Sequence, residues 1–200
     1  RKLFKVCTLR HIPIFTFINK MDRDARDPFE LCEQIEQELG IETCPINWPI
    51  GSGKEFQGVY DRPSGHILRF TDTSFKSRSA AEEIELSDPK MGELIGEDKW
   101  HQLQEEVDLL GAGAEFDLER VRSGQQSPVF FGSALTTFGV EPFLNEFLNM
   151  TTPPLPRKAG DVEIDPFSPD FSAFIFKIQA NMNKAHRDRI AFMRITYGKF

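Results

Sequence analysis

The first part of the chain has the hydrophobic and polar pattern of an α/β unit. Residues 12–18, Ile-Pro-Ile-Phe-Thr-Phe-Ile, form a short apolar run, which predicts a strand buried on both faces, as in a parallel sheet. A polar loop, residues 19–26, follows. Asp27 and Pro28 then predict the start of a helix, and Gly40 predicts its end. A strand, a loop and a capped helix in this order are typical of an α/β domain.

The pattern changes at Thr43 and stays different to about Gln126. Short strands are predicted at residues 58–60 and 66–70, where Gly and Pro bound brief apolar runs. A helix is predicted over residues 99–110, because its apolar side chains recur on one face. These short, mixed elements predict an α+β subdomain that is inserted into the main sheet domain.

Longer apolar runs return after the predicted insert. Residues 128–132 again predict a buried strand, and a helix is predicted over residues 140–149, with four side chains buried: Phe143, Leu144, Phe147 and Leu148. The proline-rich stretch 153–169 predicts an extended linker. Residues 171–180 and 189–198 predict two strands at the start of a β-barrel domain.

These patterns together predict the domain organisation. The main sheet domain takes residues 1–42 and 127–152, the insert residues 43–126, the linker residues 153–169, and the start of the β-barrel domain residues 170–200. The chain begins at Arg1 in a helix-like stretch and stops at Phe200 in a strand-like one. We therefore expect it to be a piece of a longer polypeptide.

Composition and charge narrow the class of protein. The formal net charge is -7, so any contact with nucleic acid must come from a local basic patch. The three cysteines lack paired spacing, which predicts reduced thiols and a cytoplasmic location rather than a disulfide framework. No apolar run is long enough to cross a bilayer, so no membrane partner is expected.

Asn19-Lys20-Met21-Asp22 directly follows the first predicted strand, at the edge of a parallel sheet where ligands bind. The two oxygens of Asp22 can accept hydrogen bonds from the adjacent N1–H and N2–H₂ groups of guanine. Adenine has an unprotonated N1 there, which the carboxylate would repel. Asn19 can bond the other edge of the base, and the aliphatic stem of Lys20 can cover the ring. The alternative is a polar turn without a ligand.

Ser133-Ala134-Leu135 directly follows the second predicted strand. The small side chain of Ala134 would let its backbone N–H approach the O6 of guanine, an acceptor that adenine lacks. Alone, this tripeptide is more typical of a plain strand-to-helix turn. Paired with the first motif, it predicts a nucleotide site made by Asn19, Lys20, Asp22, Ser133, Ala134 and Leu135.

Gly51-Ser52-Gly53-Lys54 looks like a phosphate-binding loop but lacks its pattern. Trp48 stands at the position of the first glycine, and Glu55 replaces the Ser or Thr that would hold Mg²⁺. We therefore predict a structural turn within the insert. No histidine shows the spacing of a metal site, and neither a metal ligand nor a catalytic residue is predicted in this chain.

The two base-recognition motifs resemble those of the GTPase superfamily. More than a hundred residues separate them, and an insert at this place resembles the extra subdomain of elongation factor G and release factor three. Three segments resemble the bacterial release factor three family of translational GTPases: residues 17–28, 45–54 and 176–192. The resemblance implies an α/β fold class, namely the C-terminal part of a P-loop GTPase parallel-sheet domain with an inserted α+β subdomain, followed by the start of a β-barrel domain.

The resemblance also implies a function. The intact protein would be a ribosome-associated GTPase of translation termination that promotes the recycling of stop-codon-reading release factors. It would bind GTP or GDP with Mg²⁺. The Mg²⁺ ligands and the phosphate-binding and catalytic segments would lie upstream of Arg1, so this part alone would have little or no GTPase activity. The implied partners are the ribosome and the stop-codon-reading release factors, and the intact protein is expected to be a monomer.

Two alternatives stay open at this stage: a translocase like elongation factor G, and a ribosome-binding module that works without nucleotide. A small basic cluster is similarly open, because it is either a solvated hairpin tip or, by resemblance, a contact with the ribosome. Its members are Lys184, His186, Arg187 and Arg189.

Overall fold

The computed structural model describes residues 2–70, 81–113, 115–153, 156–180, 182 and 188–200. The chain divides into two compact units, of which the first ends at Thr151 and the second begins at Thr152. The helices are α1 (Lys2–Leu9), α2 (Pro28–Leu39), α3 (Met91–Ile95), α4 (Glu97–Ala112), α5 (Leu118–Arg122) and α6 (Val140–Met150). The strands of the first unit are β1 (Thr16–Ile18), β2 (Glu42–Pro45), β3 (Asn47–Ile50), β4 (Gly58–Asp61), β5 (His66–Phe70), β6 (Ala81–Glu85) and β7 (Gln126–Phe131). Those of the second unit are β8 (Arg157–Ala159), β9 (Val162–Ile164), β10 (Ser172–Ala180) and β11 (Arg189–Tyr197).

The centre of the first unit is a parallel sheet with the strand order β1-β7-β2. All residues of β7 are buried, and Val129, Phe130 and Phe131 belong to the hydrophobic core. The predicted α/β fold class with a parallel sheet is thus confirmed. β1 is shorter than predicted and only half-buried, because within the described residues it pairs with β7 alone and forms an edge.

The hydrophobic pattern did not predict β2. This strand pairs in parallel with β7, and Cys44 is opposite Pro128. Residues 42–45 therefore lie in the main sheet. The sequence predicts instead that the insert begins at Thr43. Four residues that end in a proline are too few to show a period, even though Thr43 and Cys44 are buried.

The segment between β2 and β7 folds into an antiparallel sheet with the order β3-β4-β5-β6, together with α3, α4 and α5. Trp48 of β3 is completely buried, and its ring centroid lies 4.4 Å from that of Phe29 on α2 and 5.4 Å from that of Phe131 on β7. The Trp48 indole N–H donates to Glu106 of α4 over 2.7 Å. The inserted α+β segment and the parallel sheet therefore share one hydrophobic core.

Helix α2 begins and ends where the sequence predicts. Asp27 caps it by accepting hydrogen bonds from the backbone N–H groups of Phe29 and Glu30, over 2.8 and 3.1 Å. Gly40 has a φ of 68°, a left-handed conformation that glycine adopts without steric cost. Because the helix is capped at its start, the polar loop between β1 and α2 has a defined end.

Helix α6 buries fewer side chains than predicted. Phe143 and Phe147 are half-buried, and the Phe143 ring centroid lies 5.0 Å from that of Phe130 on β7. Leu144 and Leu148 were predicted to be buried but are 49% and 71% exposed. Each leucine lies about 100° around the helix from the preceding phenylalanine, on a side that no described element covers.

The second unit consists of antiparallel strand pairs. β10 and β11 pair along their length, which agrees with the two strands predicted over residues 171–198. β8 and β9 form a short hairpin within residues 157–164, where the sequence analysis predicted an extended linker. Gly160, with a φ of 66°, permits the two-residue turn between these strands. The proline-rich and polar composition of this stretch predicts a linker and does not indicate the hairpin.

The basic cluster lies mostly outside the described residues, since Lys184, His186 and Arg187 are not among them. Arg189 is exposed and opens β11, where it is opposite Ala180. A hairpin tip and a ribosome contact therefore both remain predictions for this cluster.

Candidate functional site

Two loops meet at the C-terminal edge of the parallel sheet. We name them the first loop, residues 19–26, and the second loop, residues 132–138. They follow β1 and β7, which are adjacent and parallel. The backbone N–H of Gly132 donates to the carbonyl of Ile18 over 3.1 Å, and the N–H of Met21 donates to the carbonyl of Gly132 over 3.1 Å. The backbone thus joins the two loops before any side chain contributes.

Asn19 ties the first loop to the second. Its side-chain oxygen accepts two backbone hydrogen bonds, from Lys20 over 2.8 Å and from Ala134 over 2.9 Å. Lys20 has a φ of 72°. This left-handed conformation costs a residue with a side chain about 1 kcal/mol, and the hydrogen bond to Asn19 offsets part of that cost. Strained backbone of this kind is common at binding sites.

Asp22 lies beside Ser133. The Ser133 hydroxyl donates to Asp22 Oδ1 over 2.5 Å, since an ionised carboxylate can only accept. Ser133 is completely buried, whereas Asp22 is half-buried. Among the described residues, Ser133 is the one hydrogen-bond donor to this carboxylate. Asp22 Oδ2 accepts no hydrogen bond from the described residues.

The second loop is fixed at its base. Ser133 and Phe138 form an antiparallel bridge, in which the Ser133 N–H donates to the Phe138 carbonyl over 2.9 Å. Phe138 is buried, and its ring stacks on that of Phe70 with a centroid distance of 4.3 Å. Ala134 and Leu135 are exposed. The Ala134 N–H, predicted to reach a base O6, donates to Asn19 here, so a base oxygen would share or replace that bond.

Met21 anchors the first loop in the core. It is 1% exposed and belongs to the same hydrophobic cluster as Trp48 and Phe131. The base-recognition motif predicts no role for Met21, although an apolar residue within a polar loop is the signal of such an anchor. Its burial fixes the backbone immediately before Asp22.

Gly53 of the insert contacts the first loop through its backbone. Its N–H donates to the carbonyls of Met21 and Arg23, over 2.9 and 3.1 Å, and these two residues flank Asp22. Gly53 belongs to the turn that looks like a phosphate-binding loop, and a short 3₁₀-helix, Gly53–Glu55, follows there. The turn thus contacts the loop that carries Asp22. The local sequence of the turn does not indicate this contact.

A cavity of about 680 Å³ lies against the first loop. It is lined by Met21, Asp24 and the start of α2 on one side, and by residues 49–55 and α4 on the other. None of the six predicted site residues lines it. Its walls carry both charges, with Lys99 and Glu55 paired at 3.0 Å, so they favour no one class of ligand.

Two kinds of feature are absent from the part of the chain that the structure describes. No group of three or more His, Cys, Asp or Glu side chains is arranged to hold a metal ion there. Within the same ranges, no helix combines the length and the hydropathy that a membrane span requires.

The chain matches a known family and relatives of known name. The family model of the elongation factor Tu GTP binding domain matches residues 1–153. Over its whole length the chain is 53% identical to peptide chain release factor 3 from Symbiobacterium thermophilum and 52% identical to that from Synechococcus elongatus. It spans 38% and 36% of the length of these two relatives.

A solved protein from Thermus thermophilus has a similar fold. The match has a TM-score of 0.61 at 20% sequence identity, and it covers 98% of this chain and 29% of the other. At this identity the likeness shows the fold alone.

Proposed function

The chain belongs to the family of the elongation factor Tu GTP-binding domain, and we propose that it supplies the guanine-recognition part of a translation-termination GTPase. Whole-length similarity to proteins named peptide chain release factor 3 supports the role in termination. The chain spans little more than a third of those relatives, so the activity is proposed for the intact protein.

The observation that carries the proposal is the hydrogen bond between Ser133 and Asp22. The hydroxyl holds one carboxylate oxygen in place, and a carboxylate fixed in advance loses less side-chain entropy when a ligand binds. Its oxygens can accept the N1–H and N2–H₂ groups of guanine, and each charge-assisted bond is worth about 1.5–3 kcal/mol. Adenine would present a lone pair to the same carboxylate, which explains discrimination between the bases.

The other site residues have complementary roles in the proposal. Asn19 holds the two loops at a fixed spacing and faces the other edge of the base. Lys20 is exposed and precedes Asp22 by two residues. Its aliphatic stem can therefore cover the face of the base. Ala134 supports the contact with O6 through its N–H, and Leu135 is exposed beside it.

Hydrolysis is proposed for the intact protein. It requires a phosphate-binding loop, Mg²⁺ ligands and a group that orients the attacking water. In this proposal, the present chain contributes the base contacts, and the phosphate-binding and Mg²⁺-binding segments lie elsewhere in the intact protein. The intact protein would bind GTP and GDP with Mg²⁺, act as a monomer on the ribosome in the cytoplasm, and promote the recycling of stop-codon-reading release factors.

Two observations bear on the alternatives. The names of the relatives favour termination over a translocase like elongation factor G. The contacts Asn19–Ala134 and Ser133–Asp22 favour a nucleotide-binding protein over a nucleotide-independent ribosome-binding module, because a solvated turn needs neither.

Guanine recognition is tested with Asp22→Asn in the intact protein. Loss of two charge-assisted bonds should weaken GDP binding by about 100-fold or more. Binding of xanthosine diphosphate should strengthen, because its C2 carbonyl can accept from the new amide. Isothermal titration measures both. Asp98→Asn, at an exposed position in the first turn of α4, is the control. An unchanged affinity of Asp22→Asn for GDP would refute the proposal.

The role in termination is tested separately. The intact protein with GTP should accelerate the departure of a labelled stop-codon-reading release factor from ribosomes that have released their peptide. Movement of the messenger RNA by one codon, without any effect on release-factor departure, would instead favour the translocase.

A further inference from the structure

We propose that the inserted subdomain positions the guanine-binding carboxylate of Asp22 and that it does so through Gly53. This inference rests on the proposed function, because it concerns the same nucleotide site. Gly53 contacts no nucleotide in this proposal and is a positioning residue. In this proposal, the turn that looks like a phosphate-binding loop supports the loop that recognises the base.

The Gly53 N–H makes two hydrogen bonds to the first loop. It donates to the carbonyls of Met21 and Arg23, over 2.9 and 3.1 Å. One donor thereby restrains the backbone on both sides of Asp22. The Met21 N–H donates to Gly132 of the second loop over 3.1 Å. The residue before Asp22 is thus bonded both to the second loop and to the insert.

Gly53 also approaches the first loop too closely for a side chain to fit without displacement. Gly53 is buried and has a φ of 62°. A methyl group on it would overlap Asp24 Oδ1 and would lie 3.3 Å from the backbone nitrogen of Asp24. Asp24 belongs to the first loop, two residues after Asp22. A side chain at position 53 therefore displaces either the Asp24 side chain or the backbone of the first loop.

Strand β3, which leads to Gly53, is held to β7 through Asn47. Asn47, at the start of β3, is 1% exposed. Its amide donates to the carbonyl of Phe131 over 3.1 Å and accepts from the Phe131 N–H over 2.7 Å. Phe131 is the last residue of β7, directly before the second loop. The strand that leads to Gly53 is therefore fixed to the structure that carries the site.

Gly65 provides a matched control for a substitution at Gly53. It also belongs to the insert and has a φ of 74°, but a methyl group on it would meet nothing within 4 Å. Gly53→Ala and Gly65→Ala therefore share the cost of a side chain at positive φ. They differ in whether the new methyl group presses on the first loop.

The experiment measures the affinities of the intact protein for GDP and for inosine diphosphate. Hypoxanthine lacks the 2-amino group, so the ratio of the two affinities reports how well the Asp22 carboxylate is placed. Gly53→Ala should weaken GDP binding about tenfold relative to Gly65→Ala, which corresponds to about one displaced charge-assisted bond. It should weaken inosine diphosphate binding less, so the preference for guanine falls.

A purely structural role of Gly53 would weaken both nucleotides alike, and an unchanged preference would overturn the inference. The second variant Gly53→Ala/Asp24→Ala removes the oxygen that the methyl group overlaps. Its preference for guanine should return to that of Asp24→Ala alone. A preference that stays low would also overturn the inference, because the overlap would not be the cause.

A second measurement needs no variant and so does not depend on how a variant folds. It compares backbone amide hydrogen exchange of the wild-type protein with and without GDP. GDP should slow the exchange of residues 51–55, which include the Gly53 N–H, more than that of residues 63–67 around Gly65. Equal effects on the two segments would contradict the inference.

Asp22→Asn in the same titrations separates the two proposals. If Asp22→Asn binds GDP as the wild type does, the proposed function fails. If Asp22→Asn binds GDP weakly while Gly53→Ala behaves as Gly65→Ala does, only the role of the insert fails.

Discussion

The side-chain oxygen of Asn19 lies 2.9 Å from the backbone nitrogen of Ala134 and accepts its hydrogen bond, although 115 residues separate the two in the chain. The same oxygen accepts the N–H of Lys20 over 2.8 Å. One amide thus satisfies two backbone donors and sets the spacing of the two loops. In the candidate site, the side-chain oxygen of Asn19 thus binds the backbone of both loops.

Asn19→Ala should lower the affinity of the intact protein for GDP by about tenfold or more. The substitution removes the acceptor for two backbone N–H groups and leaves the left-handed backbone of Lys20 without support. Asn145→Ala, at an exposed position on α6, is the control, and isothermal titration is the measurement. Equal affinities of the two variants would show that Asn19 does not organise the site.

Asn47→Ala should destabilise the protein by about 2–4 kcal/mol. Asn47 is 1% exposed, and its loss would leave the N–H and the carbonyl of buried Phe131 without their partner. Urea unfolding measures the change in the free energy of unfolding. Asn145→Ala should stay within about 0.5 kcal/mol of the wild type. A small effect of Asn47→Ala would mean that β3 is not held by this amide.

The three thiols should differ in reactivity. Burial raises the pKa of Cys32 from its ordinary value of 9.0 to about 11, and burial also raises the pKa of Cys44. Cys7 is only half-buried. Iodoacetamide at about pH 8 should label Cys7 first, because the thiolate is the reactive form. Mass spectrometry locates the label, and all three thiols should react in urea. Equal labelling of the native protein would contradict the burial of Cys32.

The same raised pKa predicts a loss of stability at alkaline pH. The folded state holds the proton of Cys32 more tightly than the unfolded state does. Its contribution to the free energy of unfolding is thus complete below the ordinary value of 9.0 and is lost as the pH rises toward about 11. Cys32→Ala should flatten this alkaline limb of the stability curve, and Cys7→Ala is the matched control.

Glu42 should contribute to the loss of stability in acid. Hydrogen bonds from Arg120, over 2.7 and 3.0 Å, and from Gln126, over 2.9 Å, hold the pKa of the Glu42 carboxyl below its ordinary value of 4.5. A depressed folded-state pKa gives stability that is present above the ordinary value and lost as the pH falls below it.

Glu42→Gln should therefore lose less stability than the wild type between neutral pH and pH values below 4.5. Thermal unfolding at a series of pH values measures the difference. Glu105→Gln, at an exposed position on α4, should keep the wild-type profile. Identical acid profiles of Glu42→Gln and the wild type would show that the Arg120 contact is not retained in solution.

The meeting of the two motifs could be predicted from the sequence for a physical reason. Each motif follows a short apolar run, and adjacent parallel strands end at one edge of a sheet. The caps of α2 could be predicted because Asp27 and Gly40 act on their immediate neighbours. Local rules therefore sufficed wherever the decisive contact was local or followed from strand direction.

The missed features depend on contacts between distant residues. β2 and β3 have four residues each and contain Pro45 and Pro49, so neither shows a period. The exposure of Leu144 depends on which other elements pack against α6. The hydrophobic pattern of α6 alone does not indicate these elements. The contact of Gly53 with the first loop depends on how the whole insert packs. The sequence predicts a structural turn there but not what the turn contacts.

If the Gly53 N–H, which donates to both neighbours of Asp22, positions the carboxylate as proposed, then binding at the insert and binding in the base pocket are energetically coupled. By thermodynamic linkage, a partner that grips the insert and weakens nucleotide binding by some factor must itself be held more weakly, by the same factor, when nucleotide is present. Nucleotide release can thus be hastened from a surface that the nucleotide never touches.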